Sequence, residues 1–435
     1  MQKKTLPLLM GLALASGSVF AGNLMDIYKL AQKNDPQLLK AAADKDRAQY
    51  SADGAFANYL PNIEGNANYT KGYASGAGIS QRKDYDITLS QKVIDFAAWQ
   101  SVKEAELQAT QGELGYQLAS QSLIVRVAQA YFDVLKAQDN LQLVVAEKKA
   151  IDRQLQQTKE RFAVGLSAIT DVHEAQAKFD QSVANEISKE NDLETARESL
   201  REITNAYHKE IDGLNITKFS SDLPTPATSE AWVEKAKQTS IQIANAKVSV
   251  EIAKNNIDKS SSGHLPTLSL SARHAQADND PRIESAFNPD KGYEENNSIT
   301  LSLKVPIYSG GATSAGVDAA RAGFVSASES MEQTYREVMK STRTSFNNVR
   351  ASVSTIKALE QSVISAQSAL TATEAGFEVG TRTIVDVLQQ TTGLYQAKQQ
   401  LSEARYNYIL AILSLKAAAG NLTEADLAAV NKSLG

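Results

Sequence analysis

Four short segments of the chain alternate apolar and polar residues, which is typical of strands with two unlike faces. They span residues 62–70, 85–93, 267–273 and 298–305, and Gln91 interrupts the apolar row of the second. Each approaches the length of about 10 residues that a tilted strand needs to cross a bilayer. The alternation allows two interpretations, because a sheet with one face on a soluble core has the same pattern.

Aromatic residues lie near the ends of these segments, where a membrane protein carries its aromatic girdles. These aromatic residues are Tyr59, Tyr69, Tyr73, Tyr85, Phe96, Tyr293 and Tyr308. Polar loops are predicted at residues 75–83 and 278–297, between the strands of each pair. The long helices and the export signal described below favour the membrane interpretation.

Two very long stretches of helical composition follow the strand pairs. Each is broken once, which predicts helices over residues 97–163, 170–204, 312–379 and 383–419. A helix over the first range would be about 100 Å long, and no compact globular domain needs that length. Apolar residues recur at spacings of three and four, as at Val125, Ala128, Phe132 and Leu135. This stripe favours coiled-coil packing, although a soluble antiparallel bundle explains it equally well.

The whole order of elements occurs twice along the chain. Residues 161–172 are similar to residues 376–387 at an offset of 215 positions. An internal repeat of this length indicates two copies of one structural unit. We predict the first copy at residues 22–215 and the second at residues 216–435.

The N-terminus predicts export from the cytoplasm. Lys3 and Lys4 precede an apolar run, and a plausible cleavage site ends at Ala21. This is the pattern of a secretory signal peptide over residues 1–21, too short to span a bilayer. Cleavage removes the two lysines, so the formal net charge changes from -5 to -7. The acidic balance argues against nucleic acid as a partner.

No chemistry of catalysis or metal binding is evident. Cysteine is absent, which excludes disulfides and thiol chemistry. The four histidines are His173, His208, His264 and His274, and their spacing does not fit a metal site. Neither a nucleophile elbow nor a phosphate-binding loop is present. We therefore predict no enzyme activity, no cofactor and no metal site.

The number of strands has a consequence for assembly. Four strands cannot close a barrel, which needs about eight. An open sheet in lipid would leave backbone groups unpaired at its edges, at a cost of several kcal/mol each. The residues after the signal hold no run of about 20 apolar residues, so a transmembrane helix is excluded. If the strands span the membrane, several chains must share one barrel.

A set of motifs resembles one protein family. They lie at residues 23–25, 60–61, 161–172, 263–268, 379–388 and 404–408. From about residue 22 to its end, the chain resembles the TolC family of outer-membrane efflux and secretion ducts. The resemblance implies a mixed but mainly helical fold in a homotrimer, whose twelve strands form one β-barrel continuous with a periplasmic coiled-coil tunnel. An equatorial region is expected at residues 205–245 and 420–435.

The resemblance also implies a function and partners. The chain would be a passive channel in the outer membrane of a Gram-negative bacterium, for multidrug efflux and type I protein secretion. Expected partners are outer-membrane lipid, a periplasmic adaptor protein, and an inner-membrane efflux pump or ABC exporter that supplies energy. The residues alone leave two alternatives open, a structural periplasmic coiled-coil protein and an adaptor subunit, both without a pore.

Two glycines mark the predicted breaks between long helices. Gly165 and Gly380 fit the residue after a helix C-terminus, where a left-handed conformation is common. Thr170 or Thr383 could begin the helices that follow. The resemblance adds that these turns form the periplasmic tip of the tunnel, where an adaptor docks.

The resemblance further implies a narrow ring of carboxylates near the tip. Asp386 occupies the first of two acidic positions, three residues apart on one helix face. The second position is Gln389, which departs from the family pattern. In the first repeat the equivalent of Gln389 is Glu174, three residues after Asp171. Glu174 either supplies the missing carboxylate or lies on a solvated outer face.

The closing contacts of the family map onto four residues of this chain. Arg382 would meet Thr170 and Asp171. A tyrosine of the family would also meet Asp171, but Phe377 stands in its place and has no hydroxyl to donate. One closing hydrogen bond is therefore expected to be absent.

Overall fold

The computed structural model describes residues 22–74, 78–281 and 292–435, so the predicted signal peptide lies outside the described residues. Within these ranges the chain is mainly helical and carries one small sheet. The strands are β1 (Asn62–Ala74), β2 (Gly78–Ile94), β3 (Thr267–Pro281) and β4 (Gly292–Lys304). The helices are α1 (Leu24–Asn34), α2 (Pro36–Ala57), α3 (Phe96–Ala163), α4 (Ile169–Thr204), α5 (Ser229–Thr239), α6 (Ile241–Ser261), α7 (Ala312–Glu378), α8 (Ile384–Ala418) and α9 (Glu424–Asn431).

The four long helices agree closely with the predicted ranges. Helices α3 and α7 contain 68 and 67 residues, so each is about 100 Å long. Helix α4 contains 36 residues and α8 contains 35. None of the helices in the described part of the chain is long and apolar enough to cross a membrane.

The strands form one antiparallel sheet in the order β1-β2-β3-β4. They are 13, 17, 15 and 13 residues long, so the predicted loops at 75–83 and 278–297 were too wide. The prediction was wrong because backbone pairing continues past the end of the apolar row, where both faces are polar. Tyr69 and Tyr85 consequently lie inside their strands. The interruption noted at Gln91 precedes a β-bulge between Lys92 and Ile94.

Shorter helices continue the long ones end to end. Asn34 Nδ2, at the end of α1, donates to the carbonyl of Thr204 at the end of α4 (3.0 Å). Thr239 Oγ1 of α5 donates to the carbonyl of Ala419 after α8 (2.7 Å). Helix α3 thus packs on α2 and α6 toward the sheet and on α4 and α8 toward the turns, while α7 packs on α6 and then α8. The result is a tall layer about four helices wide.

The main hydrophobic core lies at mid-height, where these helix ends meet. It includes the fully buried rings of Tyr131, Phe132 and Trp232. Trp232 Nε1 donates to the carbonyl of Pro226 (2.7 Å), so its one polar atom is satisfied. A smaller core cluster lies between the helices near the turns and includes Ile151 and Ile384.

A buried ion pair fixes the start of α2 against α3. Asp35 accepts two hydrogen bonds from the Arg126 guanidinium, each 2.8 Å long, and a third from the N–H of Leu38 (2.7 Å). Its side chain is only 2% exposed. Burial alone would raise the pKa of Asp35, but the Arg126 and Leu38 hydrogen bonds outweigh it and hold that pKa below its ordinary value.

Asp35→Ala is expected to destabilise the helical part of the protein by about 3–5 kcal/mol, because Arg126 is left unpaired and α2 loses its cap. The measurement is the midpoint of thermal unfolding, followed by helical circular dichroism. Asp44→Ala removes an exposed partner of Lys40 and should leave the midpoint unchanged. Because the folded pKa is depressed, the contribution of Asp35 is present above the ordinary aspartate pKa and is lost as pH falls through the folded value. Equal midpoints for the two variants would contradict this account.

Candidate functional site

The two predicted helix breaks are turns of the same type. At the end of α3, the N–H of Gly165 donates to the carbonyl of Phe162 (3.0 Å), and the N–H of Leu166 donates to that of Arg161 (2.8 Å). Gly165 has a φ of +77°. This pair of bonds is a Schellman motif, which satisfies the last carbonyls of a helix.

Helix α7 ends in the same way. The N–H of Gly380 donates to the carbonyl of Phe377 (3.2 Å), the N–H of Thr381 donates to that of Gly376 (2.8 Å), and the φ of Gly380 is +80°. A Cβ added at Gly165 or Gly380 would meet nothing within 4 Å. The backbone conformation, rather than crowding, is therefore what requires glycine.

Large apolar side chains are exposed around both turns. Val164, Leu166 and Val379 are 71%, 69% and 76% exposed. Exposed apolar residues clustered at one end of a molecule indicate a contact surface for another protein. We call these three residues the tip patch.

The second helix begins differently at the two turns. Thr383 caps α8: its hydroxyl accepts from the N–H of Asp386 (3.2 Å), and Asp386 Oδ2 accepts from the N–H of Thr383 (2.9 Å). This confirms Thr383 as the helix start. Thr170 was the wrong choice at the other turn, since α4 already begins at Ile169 and Ala168 is the cap residue. Asp171 bonds there to the N–H of Ala168 (3.2 Å).

The geometry keeps Asp386 ionised. The N–H of Thr383 is the main cause that lowers the pKa of Asp386, and the Thr383 hydroxyl and the charge of Arg382 act in the same direction. One carboxylate oxygen serves as the helix cap. The other has no hydrogen bond among the described residues.

Gln389 and Glu174 lie in one cleft. Both line a space of about 760 Å³ between α4 and α8, together with Lys178. Both side chains are exposed. The structure therefore places Glu174 and Gln389 on the same cleft, and the role of Glu174 stays a prediction.

The predicted closing contacts are not formed within one chain. In the described residues, no hydrogen bond or ion pair joins Arg382 to Thr170 or Asp171. The stem of Arg382 instead folds over Gly376, where a Cβ would lie 2.7 Å from Arg382 Cγ. Sequence reasoning assigned no role to Gly376, although a glycine is unfavourable inside the last turn of a helix and its presence there was a signal.

A cation–π contact joins the two turns. The Arg161 guanidinium lies 4.8 Å from the centre of the Phe377 ring, so the residue without a hydroxyl still makes a polar contact. Sequence reasoning missed this pair because nothing in either motif indicates that α3 and α7 end side by side. The contact places the two turns at the same height.

The histidines take no part in these turns. His173 is exposed on α4, and burial lowers the pKa of His208 near the core. Residues 22–74, 78–281 and 292–435 contain no group of three or more His, Cys, Asp or Glu side chains that could hold a metal ion.

Comparison with known proteins identifies the family. The sequence pattern of the outer membrane efflux protein family matches residues 27–206 and 232–421. The chain is 45% identical to the outer membrane protein TolC of Vibrio cholerae over 440 residues, which cover 99% of both chains. It is 28% identical to the proteases secretion protein PrtF of Dickeya chrysanthemi over 444 residues, covering 98% of this chain and 94% of that one.

The fold has known counterparts as well. The crystal structure of the Campylobacter jejuni CmeC outer membrane channel superimposes with a TM-score of 0.78 and 16% identity, over 95% of this chain and 90% of that one. These findings confirm the resemblance expected from the motifs. The chain belongs to the outer membrane efflux protein family.

Proposed function

We propose that this chain is a passive exit duct in the outer membrane, used for the efflux of small toxic molecules and for type I protein secretion. The observation that carries the proposal is the similarity to a TolC protein along 99% of both chains. The similarity to a protease secretion protein supports the secretion role. The duct neither hydrolyses nucleotide nor pumps, so its energy comes from an inner-membrane transporter joined through an adaptor.

The sheet forms one third of a twelve-stranded barrel in a homotrimer. Ile299, Leu301 and Leu303 alternate along β4 and are 81%, 64% and 64% exposed, which suits a face in contact with lipid. From Tyr293 to Lys304, β4 advances 11 residues, about 36 Å. At a tilt of about 45° the strand rises about 25 Å, comparable to the apolar band of such barrels, and on this face Glu295 and Asn297 separate Tyr293 from the apolar row.

The register of the sheet supports tilted strands. The apolar row of β1, from Ile63 to Tyr69, is paired with residues 83–89 of β2. The apolar row of β3, from Leu268 to Ala272, is paired with residues 89–94 of β2. The apolar rows therefore shift along the register from β1 to β2 to β3, whereas those of β3 and β4 are paired directly, as at Leu270 and Leu301. Such a shift keeps the apolar residues at one depth in the membrane when the strands are inclined to the membrane normal.

The long helices form a tunnel below the barrel, built from two copies of one structural unit in each chain. Helices α3 and α7 give this tunnel a height of about 100 Å. The two turns form the tip of the tunnel. The tip patch of Val164, Leu166 and Val379 is the surface on which a periplasmic adaptor docks.

The constriction lies just inside this tip. Asp386 and its copies form a ring of three carboxylates, with Gln389 one turn further along α8. The closing contacts of Arg382 with Thr170 and Asp171 form between neighbouring chains of the trimer, as the family resemblance implies.

Loss of the gene in its own bacterium tests the proposed function. We expect deletion to sensitise cells to several unrelated toxic compounds and to stop secretion of type I substrates, and the intact gene to restore both. Unchanged susceptibility and secretion in the deletion strain, with no second member of the family expressed, would contradict the proposal.

Arg382→Ser is expected to raise the resting conductance of the trimer, because it removes a hydrogen-bonding charge worth about 1.5–3 kcal/mol from each closing contact. Phe377→Tyr should lower the conductance by adding a donor for Asp171. Single-channel recording in planar bilayers measures both. Arg321→Ser removes an exposed arginine far from the turns and serves as the control. If Arg382→Ser conducts like the parent protein, Arg382 is not a closing residue.

A further inference from the structure

The sheet has two unlike faces. One face carries mainly polar side chains, and on it Asp86 lies between Asn66 (3.3 Å) and Arg273 (3.4 Å). The other face carries the apolar rows that suit contact with lipid. Because side chains alternate along a strand and cross-strand partners share a face, the register shows which face each residue occupies. We call the two faces the polar face and the lipid face.

The lipid face is apolar near the helices and becomes polar further away. Going away from the helices, the apolar rows end at Tyr69 on β1, Tyr85 on β2, Ala272 on β3 and Ile299 on β4. The next residue on the lipid face, two positions further along each strand, is polar. These four residues, which we call the polar row, are Lys71, Lys83, His274 and Asn297. The polar row contains no carboxylate, since Asp278 and Glu295 lie further from the apolar rows.

The polar row lies at one depth in the proposed barrel. It follows the ends of the apolar rows, which shift from β1 to β3 as inclined strands require. Helices α2, α3, α6 and α7 all join the sheet at its other end. In the proposed duct these helices lie in the periplasm, so the polar row borders the outer leaflet of the outer membrane.

The two lysines of the polar row are close enough to share one anionic group. Lys71 is paired with Gln81 and Tyr69 with Lys83, so the lysines are diagonal neighbours on adjacent strands. Cβ atoms at such positions are about 7–8 Å apart or less, a gap that long side chains can bridge. Both lysines are exposed. Among the described residues Lys83 forms no ion pair, although Asp278 is its partner in the register. Clustered lysines beside a membrane bind anionic lipid headgroups.

A hydrogen-bonded network continues the polar surface on β3 and β4. Gln276 Nε2 donates to His274 Nε2 (3.3 Å), and His274 Nδ1 donates to Asn297 Oδ1 (2.5 Å). Asn297 Nδ2 in turn donates to Glu295 Oε1 (3.0 Å). Each amide donates only one of its two N–H hydrogens in this network, so a second N–H remains for a ligand. Amides placed in this way suit the hydroxyl groups of a sugar.

The lysines and the network form one surface. Tyr85 is paired with Gln276, so Lys83 and Gln276 are diagonal neighbours across β2 and β3. Polar side chains on a lipid-facing surface are costly in hydrocarbon and are retained where they bind something. The surface therefore combines two positive charges on one side with free amide donors on the other.

We propose that this surface binds the headgroup of a phosphorylated glycolipid in the outer leaflet, with Lys71 and Lys83 on a phosphate and the amides of Gln276 and Asn297 on sugar hydroxyls. The inference rests on the proposed barrel and names a lipid ligand for its outer surface. The lysines select an anionic lipid, because ammonium groups form charge-assisted hydrogen bonds with phosphate. The amides favour a sugar headgroup over that of a glycerophospholipid, which offers fewer hydroxyls.

Lipid binding to the purified, delipidated full-length protein tests the lysines. The probe is a synthetic diglucosamine lipid carrying two phosphates, and native mass spectrometry counts the bound lipid. We expect Lys71→Gln with Lys83→Gln to raise the apparent dissociation constant at least tenfold. Arg82→Gln is the matched control, because it removes a positive charge beside Lys83 but from the polar face, and it should bind like the parent. Equal affinity of the double variant and the parent would overturn the proposal.

Two further lipids separate the parts of the headgroup. The same diglucosamine lipid without phosphates should bind the parent at least tenfold more weakly. Phosphatidylglycerol should also bind more weakly than the phosphorylated glycolipid, and Gln276→Ala with Asn297→Ala should abolish that difference. Equal binding of phosphatidylglycerol and the glycolipid to the parent would overturn the assignment to a glycolipid.

Conductance in planar bilayers separates this site from the proposed function. The lysine and amide variants should form trimers that conduct like the parent, because the changed side chains lie on the outside of the barrel. A parent that conducts as a trimer but binds all three lipids equally would overturn the site and leave the proposed function intact. A parent without trimers or conductance would overturn the barrel on which the site rests.

Discussion

Gly165→Val and Gly380→Val are each expected to abolish drug efflux and secretion while the trimer remains assembled. Both glycines have a left-handed backbone, which costs a branched residue roughly 1–2 kcal/mol and opens the Schellman turn. The turn carries the tip patch, so its distortion removes the surface on which we propose that the adaptor docks. The helices on either side stay packed, because their own core cluster near the turns is untouched. Drug susceptibility and trimer content, measured on the same cells, give the result.

Gly310→Val is the matched control for this pair. Gly310 also has a positive φ, +65°, and open space around a Cβ, but it lies between β4 and α7, far from the turns. The same backbone penalty there should leave export intact. Gly165→Asn should be milder than valine, because asparagine tolerates the left-handed region. Full resistance in both valine variants at normal protein levels would contradict the role of the turns.

Trivalent cations are expected to block the duct by binding at Asp386. Asp386→Asn should raise the concentration of lanthanum(III) needed for block at least tenfold, which corresponds to a loss of about 1.4 kcal/mol or more in binding free energy. A ring of carboxylates at a narrow point binds such ions because salt screens it poorly. The pKa of Asp386 is depressed by its bonds to Thr383, so block should persist at acidic pH and disappear only as pH falls through that lowered value. Bilayer recording over a pH series measures this.

Two further variants locate the second carboxylate. Gln389→Asp should tighten block, because it adds a second ring of three charges. Glu174→Gln should weaken block if Glu174 takes that role, as its position in the cleft with Gln389 leads us to propose. Unchanged block in Glu174→Gln would assign Glu174 to a structural or solvated role. Block that survives Asp386→Asn would place the constriction elsewhere.

The regular elements of the fold could be predicted because their signals are local. The glycines at 165 and 380, together with the helix-favouring composition on both sides of each, predicted the long helices to within a few residues. The alternation located each strand but not its full length, since a strand with two polar faces carries no apolar row. Local rules therefore found the elements and missed some of their ends.

The contacts between distant segments could not be predicted. Arg161 meets Phe377 across more than two hundred residues, and no local pattern links them. The same holds for Asp35 with Arg126, which needs α2 to pack beside α3. The start of α4 was misplaced at Thr170 because the capping rule favours a hydroxyl, whereas here Asp171 secures the turn from inside the helix. Such pairs depend on tertiary packing, which sequence spacing does not encode.

Conductance of the purified full-length protein in planar bilayers is the most direct test of the central claim. We expect trimers, and only trimers, to insert and to produce discrete steps of ion current, with step size raised by Arg382→Ser and current reduced by lanthanum(III). Reconstituted trimers that produce no current in either the parent or the Arg382→Ser form would contradict the account of this chain as an exit duct.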